Sequence, residues 1–377
     1  MKLIVFEDQG SLNLEPISLT RPVFDLRYGA GSLLNRLERI CPDDSIGLWV
    51  RDDLADLTQE NYSDMRVNQT PQEETLWLNA KVLWDENLII QLKNSTAGVW
   101  MMGDECLGAL LSKSAAEEWL KAGGPLSVFP PEGEIHHMEN VKCINYLWDL
   151  LALIPEAVTD SKISNHNTPN LDNVLVDETV GPVVLAKDVI VEPFSLLKGP
   201  LYIGDGSFIA SHSKIRNSVI GPGCKIGGEM SGTIIQGNSN KVHDGFLGDS
   251  FLGEWVNIGA GTNNSNLKNN YSPVSMQVNG EAVKSGRLFL GSVIGDHTKT
   301  AIGTQLNTGT NIGVGCNVLA QTFPKRHIPS FTFCLQGKHR DMNFDQFIET
   351  VETVKHRRNL HLTSGEKKLL KSIYLTR

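Results

Sequence analysis

The 377-residue sequence contains no CxxC pair, and its six cysteines, at 41, 106, 143, 224, 316 and 334, are scattered. That spacing argues against a zinc site and against a disulfide framework, and fits a reducing compartment. No apolar run approaches the ~20 residues a membrane helix needs. Only Leu3 to Phe6 separate Met1-Lys2 from Glu7-Asp8, too short for a signal-peptide core. The expected setting is cytoplasmic, with no membrane partner. Positive charge is also short, 34 Lys+Arg against 43 Asp+Glu. A net charge of -9 supplies no global basic field for nucleic acid or anionic lipid.

What is present is unevenly placed. Of 35 glycines, ten lie in 1–170, 23 in 171–322 and two in 323–377. Basic against acidic counts over the same sections are 13 to 26, 10 to 12 and 11 to 5. Length alone suggests two domains. Residues 1–155 read as an α/β domain. Its strand candidates are Leu3–Phe6, Ile46–Val50, Thr75–Leu83, Leu88–Gln91 and Leu126–Phe129, with helical spacing over Ser32–Ile40 and Ser112–Ala122. The polar stretch 156–170 reads as a linker.

From 171 the apolar period becomes six. Ile203, Ile209 and Ile215 are six apart, as are Ile220 and Ile226, and Leu252 and Ile258. Leu288, Ile294, Thr300, Leu306, Ile312 and Val318 continue the step, and glycine directly follows Ile203, Ile220, Ile226, Leu247, Leu252, Ile258, Ile294 and Ile312. This is the hexapeptide pattern of a parallel β-helix, in which each short strand turns one aliphatic side chain into a triangular prism and a small residue, often at φ > 0, takes the corner. The coil is expected over 171–322, with 263–287 as an excursion from its wall. In the tail, 323–377, Phe344, Phe347, Ile348, Val351 and Val354 mark an amphipathic helix, and Thr363 to Glu366 cap another. These helices are expected to close the open end of the prism.

The most informative stretch is Asn240 to Asn270, with His243, Leu247-Gly248-Asp249, Val256 to Thr262 (VNIGAGT) and Asn266 in order. It resembles the acetyltransferase half of the bifunctional N-acetylglucosamine-1-phosphate uridylyltransferase and glucosamine-1-phosphate acetyltransferase family. Further stretches resemble its divergent bacterial form: Thr20 to Gly29 (TRPVFDLRYG), Trp77 to Lys81 (WLNAK), Tyr146 to Asp149 (YLWD), Asp296 to Ala301 (DHTKTA), Asn307 to Thr310 (NTGT) and Phe323 to Phe331 (FPKRHIPSF). The resemblance implies a sugar nucleotidyltransferase-like (Rossmann-like) α/β domain followed by a left-handed β-helix acyltransferase domain with C-terminal helices, assembled as a homotrimer.

An amine attacking a thioester needs a base, and an imidazole with an ordinary pKa near ~6.5 suits that task. The resemblance makes His243 that base, with Asn257, Ala260 and Asn266 toward the sugar and acetyl-CoA, and Lys268 is added as a substrate-binding candidate for its charge. Phe246 stands where the family has an aromatic hydroxyl. The sugar-phosphate cations are not recognisable in 227–232, where Glu229 would repel a phosphate, and Lys225, Lys241 or Lys268 are candidates to compensate. In the first domain the Gly-rich phosphate loop is absent, Glu7 to Leu14 holding one glycine. Nucleotide binding would then fall to Arg21, Asp25 and Arg27 with Mg²⁺, whose ligands the sequence leaves unknown. The expected partners are an amino-sugar phosphate, acetyl-CoA and a nucleoside triphosphate. A chain with only one of the two activities, and a non-catalytic trimeric scaffold or sugar-nucleotide sensor, are the competing readings.

Overall fold

The computed structural model describes residues 1–161, 171–319 and 322–377. The first section is a mixed sheet in the order 45–49, 2–6, 75–79, 105–111, 98–102, 135–137, the first three strands being parallel. Alternation explains how its apolar strands are used. Leu3, Val5, Leu76 and Leu78 face the main core, while Ile4, Phe6 and Trp77 face a smaller one with Val99, Ala109 and Trp119.

Around the sheet lie α1 (Leu33–Ile40), α2 (Asp52–Asn61), α3 (Glu86–Lys93), α4 (Lys113–Lys121), α5 (Leu147–Ala152) and α6 (Ile154–Asp160). Two strand expectations fail. Leu88–Gln91 lies inside α3, started by the Asp85 side chain accepting from Leu88 N–H, because four apolar residues do not distinguish a strand from one buried helical turn. Leu126–Phe129 has no strand partner among the described residues, and Val128 and Phe129 are exposed. Helix α6 also runs into the stretch read as linker; the remainder of that stretch, 162–170, is outside the described residues.

From 175 the chain winds as a parallel β-solenoid with three faces. The first face stacks 175–177, 196–198, 214–216, 229–231 and 246–248. The second runs 183–185, 201–203, 218–220, 234–237, 251–254, 292–294, 310–312 and 327–328. The third runs 190–191, 208–209, 225–226 and 240–241, then passes through Asn257 to 299–300, 317–319 and 332–335.

The period-six side chains from Ile203 to Val318 are buried inside, each contributing roughly 1.5–3 kcal/mol over exposure. Leu288 is the exception, at 45% exposed. It belongs to an excursion that leaves after the Asn263–Asn264 rung and contains the hairpin 275–278/281–284. The glycine after each aliphatic residue serves close approach. A Cβ on Gly221 would run into the Gln236 carbonyl of the next coil, and the left-handed backbone falls later, as at Gly223.

The tail forms α7 (Phe344–His356) and α8 (Ser364–Thr376). They pack along the corner between the second and third faces instead of closing the prism. Phe347 meets Phe331 at 5.0 Å and His297 at 5.9 Å, and Lys355 lies over the Trp255 ring. Helix α8 reaches back to α2 through Ser364–Glu60, Gly365–Glu60 and Lys368–Asp56 contacts. The tail thereby braces the solenoid against the first domain.

Candidate functional sites

Three places gather polar side chains, and the first is the seam between the first domain and the solenoid. Arg21, 8% exposed, forms an ion pair with Asp296 and lies 3.6 Å from Glu254, while Thr20 Oγ1 donates to Asp296 at 2.9 Å. Arg27 N–H donates to Gln236 Oε1 at 3.0 Å, and Gln236 Nε2 returns a bond to the Asp25 carbonyl at 2.7 Å. Asp25 accepts from the Tyr62 hydroxyl, and burial pushes its carboxyl up to about 6. Arg21 and Arg27 are therefore turned onto the solenoid, while the Asp25 carboxyl is held by Tyr62 of its own section and only its backbone carbonyl meets Gln236. Their geometry is fixed from behind by Glu7, which is fully buried and accepts from Val23 N–H and from Arg51.

The second place is a crevice of about 400 Å³ at the carboxyl ends of strands 2–6 and 75–79, where parallel α/β sheets bind ligands. Lys81, 4% exposed, pairs with Glu105 and with Asp8 at 3.2 Å. Burial opposes its charge, but the two carboxylates outweigh it and hold the ammonium above its usual range. Asn79 donates to Asp8 Oδ2 at 2.7 Å, leaving Asp8 Oδ1 buried without a partner. Sequence reasoning missed Asp8 and Lys81 as a site. The available signal was WLNAK at the end of a strand, since such ends face the crevice.

The orphaned Asp8 oxygen tests whether the crevice holds a ready-made cage for a divalent ion, and it does not. The Lys81 ammonium already occupies the point between Asp8 and Glu105, and no group of three His, Cys, Asp or Glu among the described residues could hold a metal.

The third place is the solenoid wall. His243 stands exposed on the corner between the third and first faces. Lys241, buried inside the prism, donates to the His243 carbonyl at 2.9 Å and to the Gly227 carbonyl at 2.8 Å, and burial pulls its ammonium down to about 8. Lys241 thus fixes the corner from within and does not face a phosphate.

Directly beneath, Gly261 N–H donates to the Asp244 carbonyl at 3.0 Å, so Ala260 lies on the same corner one coil on. On the first face, Asn263 Oδ1 accepts from Phe246 N–H at 2.8 Å, and Asn266 Nδ2 donates to Asp249 at 2.7 Å. Burial raises the Asp249 carboxyl, with Asn266 opposing. His243, Ala260 and Asn266 therefore border one strip of wall.

Asn257 and Lys268 do not join that strip. Asn257 lies on the third face, beside Asn240 at 3.4 Å. The Lys268 ammonium closes its own loop on the Pro273 carbonyl at 2.7 Å. Arg216, which sequence reasoning missed, stacks on the first face above Ser231 and Gly248, with Glu229 at 3.1 Å. The coil register could have found it. Glu229, expected to repel a phosphate, instead neutralises this arginine.

Residues 3–162 match the family model described as sugar nucleotidyl transferase. A 126-residue segment is 36% identical to the "Bifunctional protein GlmU" of Methanococcus vannielii, covering 32% of this chain and 28% of that protein. A 160-residue segment is 33% identical to the "Bifunctional sugar-1-phosphate nucleotidylyltransferase/acetyltransferase" of Sulfurisphaera tokodaii, covering 38% and 39%. The matched segments thus span well under half the length of these relatives. Among solved structures, UDP-N-acetylglucosamine acyltransferase from Campylobacter jejuni aligns over 53% of this chain and 93% of that one, at 13% identity and a TM-score of 0.29.

Proposed function

We propose that the chain belongs to a divergent GlmU-like family and is a transferase of nucleotide-sugar synthesis. The labour divides between the α/β section 1–155 and the solenoid 171–322, with the tail 323–377 bracing them. At the wall, an amino-sugar 1-phosphate of the glucosamine type is acetylated by acetyl-CoA. His243 takes the proton as the amine attacks the thioester carbonyl, then returns it to the departing thiolate. The Ala260 backbone N–H at this corner is suited to the oxyanion, the Gly261 N–H being taken by the Asp244 carbonyl. The observation that carries this reading is the exposed His243, pinned from inside by Lys241 and stacked over Ala260 with Asn266 alongside.

In the crevice, a sugar 1-phosphate oxygen attacks the α-phosphorus of a nucleoside triphosphate and pyrophosphate leaves, giving UDP-N-acetylglucosamine or a similar nucleotide sugar. Lys81 is the cation available to the transferring phosphate once the ligand displaces Asp8 or Glu105. A homotrimer would put a second copy across the open wall, where Phe194 and Ile302 stand 66% and 79% exposed on the His243 corner. A cytoplasmic setting suits six free cysteines.

A second reading, acyl transfer alone with a degenerate first domain, is favoured by Lys81 being fully paired and by Arg21 and Arg27 facing the solenoid.

Two assays on the purified chain test both readings: coenzyme A thiol release with glucosamine 1-phosphate and acetyl-CoA, and pyrophosphate release with UTP and N-acetylglucosamine 1-phosphate. His243→Ala should lower thiol release by roughly 10²–10⁴-fold and leave pyrophosphate release intact. Unchanged thiol release would remove His243 as the base, and absence of pyrophosphate release in the parent chain would select the single-activity reading. No turnover in either assay would favour a scaffold or sensor.

A further inference from the structure

The third face of the solenoid carries a cluster that neither proposed reaction uses. Lys225 and Lys299 rise from its strands, and Arg357 and Arg358 come from the chain just past α7. Together with Asn240 and Asn257 they line a groove of about 420 Å³ that no carboxylate lines. None of the four cations forms an ion pair among the described residues. In a chain of net charge -9, four like charges gathered without a counter-charge repel one another.

The hydrogen bonds show how the cluster is held open. Arg358 is anchored by the Gly223 carbonyl at 2.8 Å and Asn240 Oδ1 at 3.1 Å. The Asn240 amide in turn faces Asn257 at 3.4 Å. Lys299 donates to the His297 carbonyl at 3.2 Å, and burial lowers the pKa of its ammonium. Its desolvated charge is left without a carboxylate, the arrangement that an arriving anion stabilises.

We propose that this groove binds a small molecule bearing a diphosphate, which bridges the solenoid wall to the end of α7. A diphosphate brings several negative charges and a row of acceptor oxygens, matching two lysine ammoniums, two guanidiniums and the Asn amides. The volume exceeds what a single phosphate fills. The groove is separate from the His243 corner and does not rest on the acyl-transfer reading. Its occupant would fasten α7, which continues through α8 onto α2, so filling the groove stiffens the brace between wall and first domain.

Three probes carry the diphosphate from different sources: inorganic pyrophosphate, UDP and coenzyme A. Titration calorimetry on the intact chain should give saturable pyrophosphate binding that weakens as salt rises. UDP or coenzyme A binding more tightly than pyrophosphate identifies the source. Lys299→Gln/Arg357→Gln should weaken all binding in the groove at least tenfold, and exposed Arg357→Gln alone serves if the pair perturbs folding. Binding unchanged in these variants, or lost in Lys81→Met instead, assigns the anion to the crevice and overturns the proposal. So does failure of all three probes to bind.

Discussion

The first domain and the solenoid wall hold their cations in opposite ways. In the first domain Arg21 meets Asp296, Arg51 meets Glu7, and Lys81 sits between Asp8 and Glu105. At the third face Lys225 and Lys299, with Arg357 and Arg358 from the tail, meet no carboxylate among the described residues. Net charge therefore misleads about function here. The buried cations of the first domain are each engaged by carboxylates, whereas the third face together with the tail gathers four cations that pair with none among the described residues. A cation already paired must exchange partners before it can serve a phosphate, and the exchange costs a desolvated carboxylate.

The contrast breaks most easily at Arg21. Arg21→Met leaves Asp296 buried with Thr20 Oγ1 and Glu254 N–H as its remaining partners, and removing one member of a buried pair costs about 3–5 kcal/mol. Urea unfolding should show that loss, with limited proteolysis reporting separation of the two sections. Adding Asp296→Asn should recover much of it, since the uncompensated charge is then gone. A near-zero loss in the single variant would return Arg21 to the list of ligand-binding candidates.

That seam also shows what a sequence can and cannot reveal. The solenoid ladder, Ile203 through Val318, was readable because its period is local and its glycines mark each close approach. Leu288 fitted the count by coincidence, in an excursion whose own hairpin resets the register. The contacts of Arg21, Asp25 and Arg27 were not readable, because their partners Asp296, Tyr62 and Gln236 are distant in sequence, two of them by more than 200 residues. His243, Ala260 and Asn266 fall along one strip of wall, whereas Lys268 and Asn257 part from it because sequence spacing does not say which prism face a residue occupies. The Arg216–Glu229 pair, 13 residues apart, lies in between: one coil of register would have shown it.

Asp25→Asn is the next largest test, and its direction is opposite. The Asp25 carboxyl is raised by burial from 3.8 to about 6, so between these values the folded state binds a proton that the unfolded state releases. Stability from this group is full below about pH 4, falls as pH rises toward 6, and stays low above it. The asparagine variant should be the more stable protein at pH 7, by at most about 3 kcal/mol, and the two should converge near pH 4. Urea titrations at pH 4, 5, 6 and 7 measure the difference. A variant less stable at pH 7 would mean that the Tyr62 and Arg21 contacts with the charged form outweigh its desolvation.

The smallest effect belongs to the open side of the comparison. Lys225 is exposed, has no ion-pair partner among the described residues and stands among three other cations. Truncating it removes repulsion and little packing, so Lys225→Ala should change unfolding stability by less than about 0.5 kcal/mol, with any shift toward greater stability at low salt and vanishing as salt screens the cluster. A loss above about 1 kcal/mol would mean that Lys225 is held by contacts of the kind that hold Arg21. The wall would then be as internally engaged as the first domain, and the case for an unfilled anion groove would weaken with it. A near-neutral change that is salt-sensitive in the stated direction instead separates the two regions by the property that distinguishes a binding surface from a fold element: its charges destabilise the empty protein and are relieved only by something that arrives.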